Sequence, residues 1–317
     1  MSTVSSGDLY RFSFEGVPVR GALVRLTTSW REALRRRATV GAFPPPVQLL
    51  LGEMAAAGTL MRSGIKFDGS LVLQLKGDGP VTLAVAEISP GLSFRATAQV
   101  TEDVAADVTL AGLVNVGGGG RCAITLDPRD RPAGKLPYQG IVPLSDDSGV
   151  AMTRLADALE YYMLQSEQLA TRFVLAANDE VAAGLMLQRM PAGEGDTHDP
   201  YARHEDFERI TMLGQSLTRN ELLTLDADTI LRRLFWQETV LRYAPQAVGF
   251  RCSCSRERVR GMLLALGQCE VEDIIAEQGR VEVGCDFCGE QYHFDAVDVG
   301  GMFADGSLHA DAPETLQ

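Results

Sequence analysis

The sequence of 317 residues has few of the features that mark membrane, secreted or hydrolytic proteins. Its longest run without a charged residue, 38–52, has 15 residues and three prolines, so it is too short and too interrupted to cross a bilayer. The start, MSTVSSGDLY, lacks a basic residue followed by an apolar core, and we therefore expect a cytoplasmic protein. There are four histidines, and none stands near a Gly-x-Ser-x-Gly elbow, so the sequence offers no credible hydrolase triad.

Cysteine is also scarce, and its distribution is uneven. Of the six cysteines, Cys122 stands alone and the other five fall within 252–288. Small secreted scaffolds spread their disulfides through the chain, whereas grouped cysteines in a cytosolic protein indicate metal or redox chemistry. Acidic residues outnumber basic ones, 42 against 29, which gives a net charge of −13. This excess of negative charge repels nucleic acid, so binding to nucleic acid would need a local basic patch.

Strand patterns dominate the first 190 residues, where short alternating apolar runs are interrupted by only a few helical patterns. This order predicts an α+β fold rather than a doubly wound parallel sheet. A prior of about 150 residues per domain leaves room for two domains. We expect a strand-rich core domain with packing helices at 1–190, a metastable helical linker at 191–250, a small four-cysteine zinc domain at 251–300 and an acidic tail at 301–317.

The predicted linker begins at Pro191, where the sequence becomes polar and rich in glycine and proline. Two helical patterns of moderate strength follow, and Asp228 is the predicted N-cap of the second. The apolar face of this second helix holds Ile230, Leu231, Leu234, Phe235 and Leu241. Neither helix has enough apolar residues to form a core alone. Both must therefore pack on another part of the chain, and such packing can be released.

Two close pairs of cysteines near the C-terminus carry the strongest chemical signal. Cys252 and Cys254 are followed, after 30 intervening residues, by Cys285 and Cys288, and two such pairs can converge on one tetrahedral ion. Four thiolates favour Zn²⁺ over hard cations, and the single residue within the first pair argues against an iron–sulfur centre. Zinc would supply on the order of 10 kcal/mol to the folding of this short segment, and it would keep the sulfurs as oxidant-sensitive thiolates.

The sequence around these cysteines resembles a known family, and so do several motifs of the core. The C-terminal motifs are Phe-Arg-Cys-Ser-Cys-Ser-Arg at 250–256, Ala-Glu-Gln-Gly at 276–279 and Val-Gly-Cys-Asp-Phe-Cys-Gly at 283–289. The core motifs are Lys-Phe-Asp-Gly at 66–69, Gly-Asp-Gly-Pro-Val-Thr-Leu-Ala at 77–84, Tyr-Gln-Gly-Ile-Val at 138–142 and Ser-Glu-Gln-Leu at 166–169. Together they are similar to the thirty-three-kilodalton heat-shock proteins, the bacterial redox-regulated holdase chaperones, over about 8–299.

The resemblance implies an ATP-independent holdase that keeps thermally unfolding and oxidatively damaged proteins from aggregating. It implies one Zn²⁺ per chain in the reduced state, held by Cys252, Cys254, Cys285 and Cys288. On oxidation, Cys252 would pair with Cys254 and Cys285 with Cys288, zinc would leave, and the zinc domain and linker would unfold. The implied partners are unfolding client proteins and, on activation, a second copy in a homodimer. No catalytic residue, nucleic acid or membrane partner is expected.

The position of the linker directly before a metal-dependent segment suggests which surface oxidation would release, because loss of the metal can lower the stability of both. Our hypothesis is that Ile230, Leu231, Leu234 and Phe235 belong to the released client-binding surface.

Two other functions are compatible with the cysteine spacing. A zinc-ribbon binding module is one, but residues 251–317 contain five arginines, no lysine and 13 acidic residues, the wrong sign for phosphate binding. A thiol–disulfide oxidoreductase using Cys285 and Cys288 is the other, but it would need an accessible thiolate at a helix N-terminus. We expect Cys122 and Cys269 to be buried apolar residues outside the site, and we do not expect His293 to replace a cysteine ligand.

Overall fold

The computed structural model describes residues 4–130, 134, 136–191 and 200–307. The chain divides into two compact units, Met1–Arg251 and Cys252–Gln317, called here the first and second units. Two parts of the predicted segments lie outside the described residues. They are 192–199, in the polar start of the predicted linker, and 308–317, at the end of the predicted acidic tail. Among the described helices, none has the length and apolar composition needed to span a bilayer.

The described residues of the first unit form eleven strands and seven helices. The strands are β1 (Val4–Phe14), β2 (Val17–Leu26), β3 (Gly69–Lys76), β4 (Val81–Ile88), β5 (Ser93–Val100), β6 (Arg121–Pro128), β7 (Tyr138–Pro143), β8 (Thr171–Ala177), β9 (Ala182–Arg189), β10 (Val240–Arg242) and β11 (Gln246–Phe250). The helices are α1 (Thr28–Ala38), α2 (Pro45–Ser63), α3 (Leu110–Val114), α4 (Leu155–Gln165), α5 (Pro200–Gln215), α6 (Arg219–Thr224) and α7 (Ala227–Leu234).

The strands of the first unit belong to one sheet in the order β7-β6-β3-β4-β5-β11-β1-β2-β9-β8, with β10 also paired to β1. Most neighbours are antiparallel, including the β8–β9 hairpin, in which Phe173 lies opposite Met186. The pair β5–β11 is parallel. The α+β prediction is confirmed, and the last strand before the second unit lies in the middle of the sheet.

Helix α2 forms the centre of the core because it is apolar around nearly its whole circumference. Pro45 and Pro46 occupy its first turn, where a missing backbone N–H costs nothing. It packs on β4 and β5 and also on β2, β8 and β9, so it contacts both halves of the sheet. At Gly58 a Cβ atom would clash with the side chain of Ile88, which explains the absence of a side chain at this close approach.

Helices α5, α6 and α7 share an apolar cluster with strands β1, β2, β8 and β9. The predicted N-cap of α7 was wrong by two residues: the carboxylate of Asp226 accepts the N–H of Thr229 at 2.9 Å, whereas Asp228 lies in the first turn and pairs with Arg242. Leu241 is on β10 and not on the face of α7, because the helix ends at Leu234.

The described residues of the second unit form three helices and one antiparallel hairpin. The elements are α8 (Arg256–Leu266), α9 (Gln268–Gln278), β12 (Val281–Gly284), β13 (Gln291–Phe294) and α10 (Ala296–Ser307). The predicted tail therefore begins inside α10. The buried apolar side chains of this unit are Val259, Leu263, Val271, Val281, Phe294, Val299 and Met302. A core of this size gives a short segment little stability without a cross-link or a metal.

The carboxyl group of Glu53, on α2, contacts α6, one of the three helices α5, α6 and α7 of the predicted linker (called here the linker helices). Glu53 lies 3.5 Å from the guanidinium of Arg219 on α6, and its side chain is 21% exposed. Burial raises the pKa of Glu53 from 4.5 to about 7, although Arg219 and, more weakly, Arg154 oppose the rise. The folded chain therefore binds more protons than the unfolded chain between these two values, and the free energy of unfolding falls as the pH rises through this window.

Replacing Glu53 by Gln should remove this component of the pH dependence. Between about pH 5 and about pH 8, we expect wild type to lose about 2 kcal/mol more unfolding free energy than Glu53→Gln, because one pKa unit is worth about 1.4 kcal/mol and the partial exposure weakens the effect. Urea unfolding at both pH values measures the difference. Glu205→Gln, at an exposed carboxylate of α5, should behave as wild type. Parallel pH profiles for wild type and Glu53→Gln would contradict the assignment.

Candidate metal centre

Four thiols of the second unit, called here the thiol cluster, converge on one point. The Sγ atoms of Cys252, Cys254, Cys285 and Cys288 all lie within 4.8 Å of one another. The Sγ of Cys252 lies 3.6 Å from that of Cys285, and the Sγ of Cys254 lies 3.4 Å from that of Cys288. A tetrahedral zinc ion with Zn–S distances of about 2.3 Å has sulfur–sulfur edges of about 3.8 Å. The donor set and its spacing therefore fit one four-thiolate zinc ion, and the cysteines are free thiols here.

Local backbone structure places each pair of sulfurs. Cys252 and Cys254 precede α8, which begins where the hydroxyl of Ser255 accepts the N–H of Arg258 at 3.2 Å. The second pair lies in the turn between β12 and β13. There the N–H of Gly289 donates to the carbonyl of Cys285 at 2.8 Å. Gly289 has a φ of 72°, a left-handed conformation that favours glycine, so the turn places Cys285 and Cys288 side by side.

Two arginines of α8 form hydrogen bonds with the segment of the first cysteine pair and with the elements β13 and α10. Arg258 donates to the carbonyl and the hydroxyl of Ser253, at 3.0 and 2.7 Å. Arg256 donates to the carbonyl of His293 at 2.8 Å and pairs with Asp298 at 2.8 Å. Sequence reasoning missed both arginines. The signals for them were the capping serine three residues before Arg258 and the place of Arg256 at the end of the motif at 250–256.

The pKa values of the thiol cluster are shifted in opposite directions. Hydrogen bonds from the thiols of Cys285 and Cys288 lower the pKa of Cys252 to about 3. The pKa of Cys288 is raised well above its usual range, chiefly because its proton is held in the hydrogen bond to Cys252. The same hydrogen-bonded contact therefore favours the thiolate at Cys252 and the protonated thiol at Cys288. A divalent cation is the charge that would let the remaining thiols ionise together.

The remaining cysteines and His293 lie outside the thiol cluster. Cys122 is fully buried on β6, as expected, and burial raises the pKa of its thiol to about 12. The expectation for Cys269 was wrong, because this residue is exposed in the first turn of α9. Val271 is the buried residue of that turn, and two helical positions differ by about 200°. His293 is absent from the cluster, and its Nδ1 lies 3.6 Å from Glu282.

The four residues of the predicted switch surface lie in the first unit and are buried. Ile230, Leu231, Leu234 and Phe235 have exposed fractions between 0% and 7%. The Phe235 ring lies 4.9 Å from Phe14 and 5.9 Å from Phe12, measured between ring centroids. A side chain at Gly21 would clash with the ring of Phe12, so this glycine makes room for the aromatic cluster.

Polar contacts also hold the linker helices to the core. Arg25, on β2, donates to the carbonyls of Leu222 and Leu223 at 2.7 and 3.0 Å. These carbonyls lie in the last turn of α6, where a cation is favoured. Arg219 at the other end of α6 donates to the carbonyl of Ala177 and pairs with Glu53. The helices are thus held by a few polar contacts around one apolar cluster.

Replacing one cysteine at a time should show that the thiol cluster, and not a cysteine outside it, binds the metal. We expect Cys288→Ser to bind far less than one zinc per chain, because a hydroxyl is a poor substitute for a thiolate on zinc. Cys269→Ser is the matched control and should retain zinc as wild type does. Metal content after gel filtration, measured by atomic absorption, distinguishes the two. Full zinc occupancy in Cys288→Ser would contradict the assignment.

Comparison with known proteins places the chain among chaperones. The sequence model of the family described as Hsp33 protein matches residues 7–295. A 33 kDa chaperonin of Chromobacterium violaceum is 46% identical over 296 residues, 93% of each chain, and one of Methylobacillus flagellatus is 41% identical over 94% of each chain. The crystal structure of the 33 kDa chaperonin from Thermotoga maritima matches with a TM-score of 0.74 and 22% identity, over 95% of this chain and 98% of that one. At that identity the structural likeness shows the fold.

Proposed function

We propose that this chain, which belongs to the Hsp33 family, is a redox-regulated, ATP-independent holdase that is activated by loss of its metal. Membership of this family of chaperones fixes the general class of activity. The observation that carries the redox proposal is the convergence of four thiols within 4.8 Å of one another. Zinc would join the segment before α8 to the turn between β12 and β13, and its removal would leave the unit with its small apolar core alone.

The proposed activation step is oxidation of the thiol cluster by a peroxide. One thiolate attacks a peroxide oxygen, forming a sulfenic acid and releasing hydroxide. The second thiolate of the pair attacks that sulfur, the S–S bond forms, and a second hydroxide leaves. Each pair of thiolates thus gives two electrons to one hydrogen peroxide as the disulfide forms, and the peroxide oxygens end as water after protonation. Bound zinc supplies the charge that keeps the sulfurs as thiolates before oxidation.

The disulfides that we propose are Cys252–Cys254 and Cys285–Cys288, as the family resemblance implies. Two close sulfur contacts in the structure join other partners, Cys252 with Cys285 at 3.6 Å and Cys254 with Cys288 at 3.4 Å. Peptide mapping of the oxidised protein by mass spectrometry decides between the two pairings. Disulfides that join Cys252 to Cys285 and Cys254 to Cys288 would contradict the proposed pairing.

The proposed consequence of metal loss is release of the linker helices from the core sheet. Release of α7 would expose its buried face together with Phe12 and Phe14, which it covers. This newly exposed apolar surface would hold unfolding client proteins and prevent their aggregation. A homodimer of the activated form, a cytoplasmic location and the domain boundaries expected from the sequence belong to the same proposal.

An oxidoreductase role has less support from the site. Cys285 and Cys288 lie in a turn between two strands, whereas a thioredoxin-like nucleophile sits at a helix N-terminus that lowers its pKa. We therefore assign no catalytic residue.

The experiment that tests the proposal follows zinc and chaperone activity in the same sample. We expect the reduced protein to bind about one zinc per chain and to suppress thermal aggregation of a model protein poorly. Hydrogen peroxide should release the zinc, and suppression should appear as the metal leaves. A peroxide-treated protein that retains its zinc, or whose activity does not change, would reject the switch. Turnover of a disulfide substrate would favour the oxidoreductase instead.

Weakening the linker contact should activate the protein without an oxidant. Truncation of a buried Phe to Ala lowers the free energy of unfolding by about 3–5 kcal/mol. In Phe235→Ala the lost packing is that between the predicted linker and the core sheet. We expect the reduced, zinc-loaded variant to suppress aggregation above the wild-type level. Trp236→Ala is the matched control, since the adjacent Trp236 is 74% exposed and its truncation removes little packing. Equal activity of both variants and wild type, with all three folded and zinc-loaded, would place the client surface elsewhere.

A further inference from the structure

A cavity of about 310 Å³ lies within the first unit and shares no lining residue with the thiol cluster or with α5, α6 and α7. The end of α2, strands β2, β6 and β9, and helix α4 enclose it. Its walls are mainly apolar and include Met61, Ile124, Leu126, Met163 and Met186. Its volume falls at the lower end of the range of about 300–1,000 Å³ that is typical of small-molecule sites.

One side of the cavity carries a cation that has only neutral partners. The Nε of Arg20 donates to Oε1 of Gln188 at 2.8 Å, and one Nη donates to the same oxygen. The other Nη lies 3.5 Å from the carbonyl of Gly64. No carboxylate pairs with Arg20 in the part of the chain that the structure describes, and burial lowers the pKa of its guanidinium. A guanidinium has five N–H donors, so donors remain for an anion in the cavity.

The carboxylate that also lines the cavity is held by other groups. Glu167 accepts the hydroxyl of Tyr162 at 3.0 Å and that of Tyr138 at 3.3 Å. Lys66 is exposed and adds a second cation. Positive charge therefore exceeds negative charge among the lining residues.

Two motifs that the metal centre does not use line this cavity, and a third is bonded to its lining. Lys66 begins the motif at 66–69, and Glu167 and Leu169 belong to that at 166–169. Tyr138, which begins the motif at 138–142, lies outside the lining and donates its hydroxyl to Glu167. These segments lie far apart in the sequence, and the fold joins them through α4 and the hydrogen bonds of Glu167. Their convergence on one apolar pocket with a cation facing it is the pattern of a ligand site.

We propose that this cavity binds a small amphipathic anion, namely a medium-chain aliphatic carboxylate. Its carboxylate would lie against the guanidinium of Arg20, whose planar donors match a carboxylate. Its chain would lie among Met61, Met163 and Met186, because flexible thioether side chains adapt to an apolar ligand. A sugar phosphate fits poorly, since the walls offer few polar partners, and the excess of positive charge disfavours a metal cation. The inference does not depend on the redox switch.

Sodium decanoate and its neutral analogue decanol are the probes that test this site. Titration calorimetry of the reduced, zinc-loaded full chain should show saturable binding of about one decanoate per chain, about tenfold tighter than decanol. Arg20→Gln should weaken decanoate binding by about tenfold or more. Arg31→Gln, at an exposed arginine of α1 outside the cavity, should bind as wild type. Absence of saturable binding, or equal affinity for decanoate and decanol, would overturn the proposal.

A second measurement keeps the proposal testable if Arg20→Gln fails to fold. In wild-type protein labelled with ¹³C at the methionine methyl groups, decanoate should shift the signals of Met61, Met163 and Met186. Met212 and Met262, which are 72% and 53% exposed, report binding to the surface and should not shift. Shifts confined to these exposed methionines would show that the carboxylate does not enter the cavity.

Discussion

Four sulfur atoms from two segments that are separated by 30 residues of sequence lie close enough together to hold one metal ion. A cross-link through such an ion has two physical requirements. The sulfurs must come within a few ångströms of one another, and their mutual repulsion must be balanced once they ionise. The backbone meets the first requirement through the Ser255 cap of α8 and the Gly289 turn after Cys288. A divalent cation would meet the second. Because the surrounding apolar core is small, a metal cross-link would carry much of the stability of the unit.

In the mechanism that we propose, the sheet topology is the link between a change in the second unit and the first. Strand β11 lies between β1 and β5, in the middle of the main sheet. One residue, Arg251, separates the end of this strand from Cys252. The helices α5, α6 and α7 precede β11 and pack on the sheet through one apolar cluster and a few arginine contacts. A segment that docks through one cluster can open as a unit, which suits the release that we propose.

Local patterns in the sequence predicted local structure well. The α+β class follows from the order of strand and helix patterns, and the cysteine spacing predicted the group of four thiols that the fold brings together. Long-range partners were not predictable in this way. Nothing in the sequence around Val248 shows that β11 is inserted between β1 and β5. The cavity beside Arg20 is formed by five elements that are distant in sequence, so no single motif reveals it.

The errors in the sequence analysis also have physical causes. Cys269 was expected to be buried because cysteine is usually buried, but the rotation of α9 places Val271 inward and Cys269 outward. Asp228 and Asp226 are both able to cap a helix, and only the backbone geometry shows that Asp226 does so. The zinc ion, the disulfide pairing and the domain boundaries stay predictions, since they concern chemistry or segments outside the described residues.

The most direct measurement is hydrogen exchange followed by mass spectrometry while zinc is withdrawn by a chelator from the reduced protein. This removes the ion and leaves the thiols unoxidised, so it isolates the role of the cross-link. The account predicts that amides of β12, β13 and α7 lose protection together as the metal leaves, while those of β3 and β4 keep theirs. Unchanged protection in α7 after complete zinc removal would contradict it.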